Sequence, residues 1–412
     1  MTRRCPLLLD GRALLDADRL IRAGLADRRA CYELWFAKLP AHAGFLIVGG
    51  VESLLDTLSR PLVGRDEIES ALRAGVCSGE LAARLTRLSL TVDIDAMADG
   101  AVAFPRGPVA TVEGPFLETV LVGTILRATI QKETAIATRT ARLHLAGAGD
   151  AIVDGSSAHV ATPEASLVVA RAAHVGGANA TTNVLAATTF DIPFRGTARV
   201  DLGALGQDRG ARGPSERAPL IKALAPVPTP STDSWGDLPD NLAELGLGDD
   251  EEAMLIEAKR LGMSASGWIA RGLADADGRA LPMRYELVAL EQDGAWSPRR
   301  GSSGRAAVIP GRKMVVRYTD DEGRVVADVV HLSSERMQAP KSLGAKTLAP
   351  LARPVMRGGR TLESPELPSV GRERALTARA ALPPELTHLR SPPTYPVRLS
   401  PGIIALRDPP KG

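Results

Sequence analysis

Residues 113–142 read Glu113-Gly114-Pro115 and then FLETVLVGTILRATIQKETAIATRTAR. The turn residues Gly114 and Pro115 close a strand expected over 108–112. The apolar run that follows has few breakers and predicts one long helix over 116–142. A strand, a tight turn and a long helix in immediate succession point to an α/β chain.

On the N-terminal side, residues 10–60 read as helix, strand, helix. Tyr32, Leu34 and Phe36 alternate in a half-buried strand over 30–36, and residues 45–58 carry helical apolar spacing. Leu90, Val92 and Ile94 share one face of a strand over 89–97. On the C-terminal side, a helix over 163–174 runs into Gly176-Gly177, and a further helix begins at Thr181 and continues to 187. Residues 203–241 hold prolines at 214, 219, 226, 228, 230 and 239 and little that can pack, so this stretch is expected to be a loop or disordered. Order resumes at Asp249-Asp250-Glu251-Glu252, which opens a helix ending in Lys259-Arg260. Its charges complement the helix dipole. A strand over 285–290 follows, then a hairpin of 313–318 and 324–332 around Asp320-Asp321-Glu322-Gly323. The Pro-rich end, with one helix over 371–381, is expected to wrap an edge. No internal repeat is found.

The chain has 412 residues, enough for two or three domains, and a formal net charge of +2. That balance excludes a strongly basic nucleic-acid binder, and the 3% aromatic content leaves few rings for stacking on bases. Of the 50 cationic residues 42 are arginine, which reads as coding bias and not as function. Cys5, Cys31 and Cys77 lack metal-ligand spacing, and an odd, sparse count suits a reducing cytosol. Leu7 to Leu9 is too short for a signal peptide, and no apolar run reaches the ~18 residues of a membrane span. A soluble, cytoplasmic protein is expected.

The residues alone carry no strong chemical motif. The six histidines are scattered, and there is no P-loop, strand-linked GxGxxG or nucleophile elbow. Gly176-Gly177 reads either as a helix C-cap or as an approach to phosphate. Asp233-Ser234-Trp235-Gly236-Asp237 reads as turn chemistry or as a carboxylate pair for a ribose or hydrated metal. Pro310-Gly311-Arg312-Lys313 reads as a tight turn before a strand or as a phosphate-facing basic pair.

The order of these pieces resembles the nicotinate phosphoribosyltransferase family. The likeness is carried by Tyr32-Glu33-Leu34-Trp35-Phe36, Val112-Glu113-Gly114-Pro115, Ala170-Arg171-Ala172-Ala173 with Gly176-Gly177, and Thr181-Thr182-Asn183-Val184-Leu185-Ala186. It continues through Gly196-Thr197, Ile309-Pro310-Gly311-Arg312-Lys313, Pro354-Val355-Met356-Arg357-Gly358-Gly359 and Tyr395-Pro396-Val397-Arg398-Leu399-Ser400. The resemblance implies an N-terminal α/β domain over 1–112, completed by strands from 284–345. It further implies a barrel-like domain of the type II phosphoribosyltransferase kind over 113–283, with 203–241 disordered within it, and a Pro-rich C-terminal wrap over 346–412. The interval from Val200 to Gly267 is shorter than the family's, so the (β/α) barrel is expected to be irregular and incomplete.

The implied reaction joins nicotinate to phosphoribosyl pyrophosphate in NAD salvage, with Mg²⁺ and with ATP hydrolysis through a phosphorylated histidine. A homodimer is implied, with no nucleic-acid or membrane partner. Substrate-binding positions carried over are Asp10, Arg12, Thr197, Asp233 and Asp237. Several positions depart from the family's pattern. Arg12 stands where a ring-facing tyrosine is expected. Ser156-Ser157 stand where an arginine pair contacts the phosphoribosyl group. Val200 replaces the phospho-accepting histidine, and a valine accepts no phosphoryl group. Ser231 replaces a carboxylate-gripping arginine. Ile269 and Ala270 replace the second glycine and the threonine of a phosphate cradle. These losses imply a family member with impaired catalysis, a pseudoenzyme. Two other readings stay open: an active, divergent phosphoribosyltransferase without ATP coupling, and a non-catalytic dimeric scaffold or regulator of an intact paralogue.

Overall fold

The computed structural model describes residues 10–195, 222–223, 242–245, 251–263, 265, 267–276, 281–299, 309–337 and 345–407. The chain is mixed α/β and divides into two compact units. The first draws on residues 1–132, 278–366 and 378–412, the second on 133–277 and 367–377.

The first unit is built on a seven-stranded sheet. Its order is Ala295–Pro298, Met283–Gln292, Arg29–Phe36, Pro108–Pro115, Asp93–Met97, Ala352–Arg357 and Arg360–Thr361. Every neighbouring pair is antiparallel. The N-terminal strands therefore sit in the middle, with strands from late in the chain on both sides, and the N-terminal α/β domain is completed by C-terminal strands. Arg29–Phe36 is central, and Ala30, Cys31, Leu34 and Phe36 are all buried. A four-stranded sheet in the same unit pairs Thr347–Pro350, Lys313–Thr319, Val325–Leu332 and Val397–Leu399. Its hairpin turns where expected. Asp320 Oδ1 accepts from the N–H groups of Glu322 and Arg324 at 3.0 and 2.8 Å, and Gly323 takes the positive φ of 77°.

One expectation is corrected in this unit. Residues 45–58 do not form a single helix. Leu46–Ile47 pairs with Val102–Ala103 as a short ladder, and the helix Val51–Leu58 begins only after Gly50. Gly50 has φ 95°, outside helical space, and a Cβ there would lie 2.9 Å from the Thr129 carbonyl oxygen. The basic pair Arg312-Lys313 does not stand ready for phosphate. Arg312 binds Glu113 at 2.6 Å and lies over the Trp296 ring, and Lys313 is buried against Glu33 at 2.7 Å.

The second unit holds a five-stranded sheet in the order Ala180–Thr181, Ala151–Asp154, Gly267–Ala270, Leu242–Glu244 and Lys222–Ala223. The first four strands are parallel and the last is antiparallel. Ala151–Asp154 and Gly267–Ala270 are buried along their whole length, as expected of a parallel sheet covered on both faces. Among the described residues the sheet is open, in keeping with an incomplete barrel. Helix Pro163–Gly176 starts at Thr162, whose side chain accepts from Ala165 N–H, with Pro163 in the first turn. It ends at Gly177, φ 122°, so Gly176-Gly177 is a helix stop. A Cβ on Gly176 would collide with the Ala137 carbonyl, which fixes how closely this helix crosses Phe116–Ala146. Arg171 and Glu133 form a buried ion pair of 2.9 Å at that crossing. The helix expected from Thr181 begins later, at Val184. Thr181 is the end of a strand, and Asn183 caps the new helix by accepting from Ala186 N–H at 3.0 Å.

Candidate functional site

Ligands of open α/β sheets bind beyond the carboxyl ends of the strands. In the second unit that edge is formed by Ala151–Asp154 and Gly267–Ala270, where Asp154 stands opposite Ala270. The Gly155 N–H donates to the Ala270 carbonyl at 2.7 Å, and the chain then turns through Ser156–His159. A Cβ on Gly155 would collide with Ile269 Cγ2 and lie 3.3 Å from Arg271 Cγ, so glycine permits this approach. The fold thus brings Ser156, Ser157, Ile269 and Ala270 to one place. The Ser157 hydroxyl is shielded from solvent and has no hydrogen-bond partner among the described residues.

Asp154 organises this edge. Its Oδ1 accepts from Ser156 N–H at 3.0 Å and its Oδ2 from the Thr181 hydroxyl at 2.8 Å. Thr181 Oγ1 accepts from Asn183 N–H at 3.0 Å, and Asn183 Nδ2 donates to Ser166 Oγ at 2.6 Å. Burial pushes the Asp154 carboxyl above the usual carboxylate range, against the pull of these hydrogen bonds. Across the edge, Glu251 is fully buried and accepts from the N–H groups of Arg271 and Gly272 at 2.6 and 2.7 Å. The Arg271 side chain donates from Nε to His159 Nε2 at 3.2 Å, with a second guanidinium nitrogen at 2.9 Å. A guanidinium is therefore held against His159, at the end of the turn Ser156–His159. Arg271 was not among the residues singled out from sequence; its only signal was the cation directly after Gly267–Ala270.

In the first unit, Asp10 and Arg12 line a cavity of about 610 Å³. Asp10 caps helix Gly11–Arg22, its Oδ1 accepting from Arg12 N–H at 3.0 Å, while the Arg12 side chain is exposed. Tyr32 and Tyr285 share the cavity, their rings stacked at 4.7 Å and 18°. Tyr285 donates from its hydroxyl to the Thr119 carbonyl at 2.8 Å and lies so close to Gly123 that a Cβ there would collide with the ring. Burial pushes both phenols well up. Gly123, Arg127 and Gln131 form one face of the long helix at spacing i, i+4, i+8 and close the wall. That spacing was present in the sequence, and Tyr32 and Tyr285 line the same cavity as Arg12.

Thr197, Val200, Ser231, Asp233 and Asp237 lie outside the described residues, as does 203–241 apart from Lys222–Ala223. Among the described residues no three His, Cys, Asp or Glu side chains are grouped to hold a metal ion, and no helix is long and apolar enough to cross a membrane.

Comparison with known proteins gives these features a context. Residues 312–407 match the family model described as nicotinate phosphoribosyltransferase C-terminal domain. A Mycobacterium tuberculosis protein named nicotinate phosphoribosyltransferase pncB2 is 27% identical over 91% of this chain and 87% of its own. The chain is similar to nicotinate phosphoribosyltransferases over most of its length. A Dictyostelium discoideum nicotinate phosphoribosyltransferase is 31% identical over 47% of this chain and 33% of its own. The fold is that of the human nicotinic acid phosphoribosyltransferase crystal structure, with TM-score 0.69 and 21% identity over 97% of this chain and 99% of that one. A Pyrococcus furiosus nicotinate-nucleotide pyrophosphorylase shares it with TM-score 0.60 and 15% identity over 90% and 94% of the two chains.

Proposed function

We propose that this chain is a nicotinate phosphoribosyltransferase-like protein of NAD salvage whose catalysis is impaired. The reading is carried by the meeting of Ser156-Ser157 with Ile269-Ala270 at adjoining strand ends. A pyrophosphate leaving group needs cations and backbone N–H donors aimed at its oxygens. Serine hydroxyls supply no charge. Ile269 places a branched side chain against Gly155 where the family's glycine would leave the backbone open. Loss of one such electrostatic contact typically costs about 10²–10³ in turnover.

Mg²⁺ and ATP belong to the reading by family likeness. Mg²⁺ is usually held by one or two carboxylates plus substrate phosphates. Both Asp154 oxygens accept one hydrogen bond each within the fold, which fixes the orientation of the carboxylate. Val200, at the phospho-accepting position, has no nucleophilic atom. The reading includes a cytoplasmic homodimer that acts as a partner or a degenerate copy of an intact enzyme.

A second reading, an active but divergent phosphoribosyltransferase without ATP coupling, is favoured by Arg271. Its guanidinium lies at the same strand ends and supplies the kind of charge the serines lack. Calorimetric titration with phosphoribosyl pyrophosphate, combined with a turnover assay, separates the two. Binding without turnover supports impairment. Binding lost in Arg271→Gln together with measurable turnover in the native chain supports the second reading.

A further inference from the structure

The turn Ser156–His159 ends on an imidazole that two guanidinium nitrogens address at once. Arg271 Nε stands 3.2 Å from His159 Nε2, and a terminal guanidinium nitrogen stands 2.9 Å from the same atom. Guanidinium nitrogens only donate, so Nε2 must be the acceptor. The ring is therefore neutral and carries its proton on Nδ1. This contact fixes both the tautomer of His159 and the direction of the Arg271 side chain.

The backbone of Arg271 is fixed separately. Glu251, fully buried at the start of helix Glu251–Arg260, accepts from the N–H groups of Arg271 and Gly272 at 2.6 and 2.7 Å. Arg139 lies 3.5 Å from the same carboxylate. A Cβ on Gly272 would come within 3.2 Å of both side chains, so glycine lets the backbone lie this close. Glu251 thus clamps the main chain and His159 orients the guanidinium. A side chain ordered in advance loses less rotamer freedom when an anion arrives.

We propose that His159 is a positioning residue: its neutral imidazole holds the Arg271 guanidinium at this strand edge, ready for an anionic group. The proposal rests on the second reading above, in which Arg271 supplies the charge that Ser156-Ser157 lack. It adds a condition to that reading. An imidazolium carries N–H on both ring nitrogens and a positive charge, so it cannot accept from Arg271 and repels it. The edge therefore keeps an oriented guanidinium only while His159 is neutral. Asp154, Glu164, Glu251 and Asp275 also titrate on the elements around this turn and Arg271, with Arg139 as a fixed cation. A variant that removes only the imidazole's proton site separates His159 from these groups.

Histidine ¹⁵N NMR of the full chain at pH 8, assigned with His159→Gln, reads the tautomer directly. Nε2 of His159 should be unprotonated in the native chain, and Arg271→Met should let the Nε2–H form appear. Titration with inorganic pyrophosphate reads the consequence. His159→Ala should weaken binding by about tenfold or more, as should Arg271→Met, and the double variant should be no weaker than Arg271→Met alone. His159→Gln keeps a neutral acceptor that no proton blocks. It should bind as the native chain does at pH 8 and lose less affinity than the native chain between pH 8 and pH 5. A protonated Nε2 in the native chain, a tautomer unchanged in Arg271→Met, or binding undiminished in His159→Ala would overturn the proposal. The expected tautomers with no pyrophosphate binding by the native chain would support the His159–Arg271 contact and refute the second reading on which its use rests.

Discussion

Asp154 stands opposite Ala270 in parallel register, and the next peptide ties them, Gly155 N–H donating to the Ala270 carbonyl at 2.7 Å. That pairing brings Ser156-Ser157 and Ile269-Ala270, distant in sequence, to a single strand edge. It also sets Arg271 there, donating to His159.

The Val200 position gives a direct chemical prediction. On the proposed reading, incubation with γ-³²P-ATP should leave the chain unlabelled, because the family resemblance sets Val200, which has no nucleophilic atom, at the phospho-accepting position. An acid-labile, base-stable phosphate on the native chain would contradict this.

Glu33 and Lys313 are both buried, and their side chains are 1% and 4% exposed. Removing one partner strands a charge in the interior. Lys313→Met should therefore lower unfolding stability by about 3–5 kcal/mol, measured by urea denaturation. A loss under about 1 kcal/mol would show that the pair is dispensable.

Gly123→Ala should disturb the Tyr32–Tyr285 stack, since the new Cβ meets the Tyr285 ring. Overpacking of this kind costs about 1–3 kcal/mol. The change should also appear as altered tyrosine signals in near-UV circular dichroism. An unchanged spectrum and melting temperature would mean that the ring moves aside freely.

His174 is buried, and desolvation, with the nearby Arg372 charge adding to it, pushes its imidazole down to about 4. The unfolded chain, with an ordinary histidine, binds a proton near pH 6.5 that the folded chain refuses. The stability this residue contributes is complete above about pH 6.5 and falls as pH drops toward 4, by up to about 3 kcal/mol. Urea unfolding from pH 7 to pH 4 should show this slope, and His174→Asn should flatten it. Equal slopes in the two proteins would assign the effect to other groups.

Much of this architecture was legible in local pattern. The long helix, the Asp320–Gly323 hairpin and the Gly176-Gly177 stop each rest on residues adjacent in sequence, whose turn chemistry and periodicity act locally. The short ladder Leu46–Ile47 was not legible, because its partner, Val102–Ala103, lies far along the chain. A two-residue strand carries no period of its own, and Gly50, at φ 95° and packed close to the distant Thr129 carbonyl, keeps the helix from starting before Val51. The site divides in the same way. Asp10 and Arg12 were singled out through the family resemblance, whereas Tyr32 and Tyr285 become one aromatic surface only through strand pairing. Arg271 gained meaning only when the parallel register set it against His159.

The most direct measurement of the central claim is pyrophosphate release from phosphoribosyl pyrophosphate with nicotinate, Mg²⁺ and ATP, using the purified full chain. The account predicts release no faster than the enzyme-free background, with or without ATP. Sustained release that depends on both nicotinate and the protein would contradict impaired catalysis.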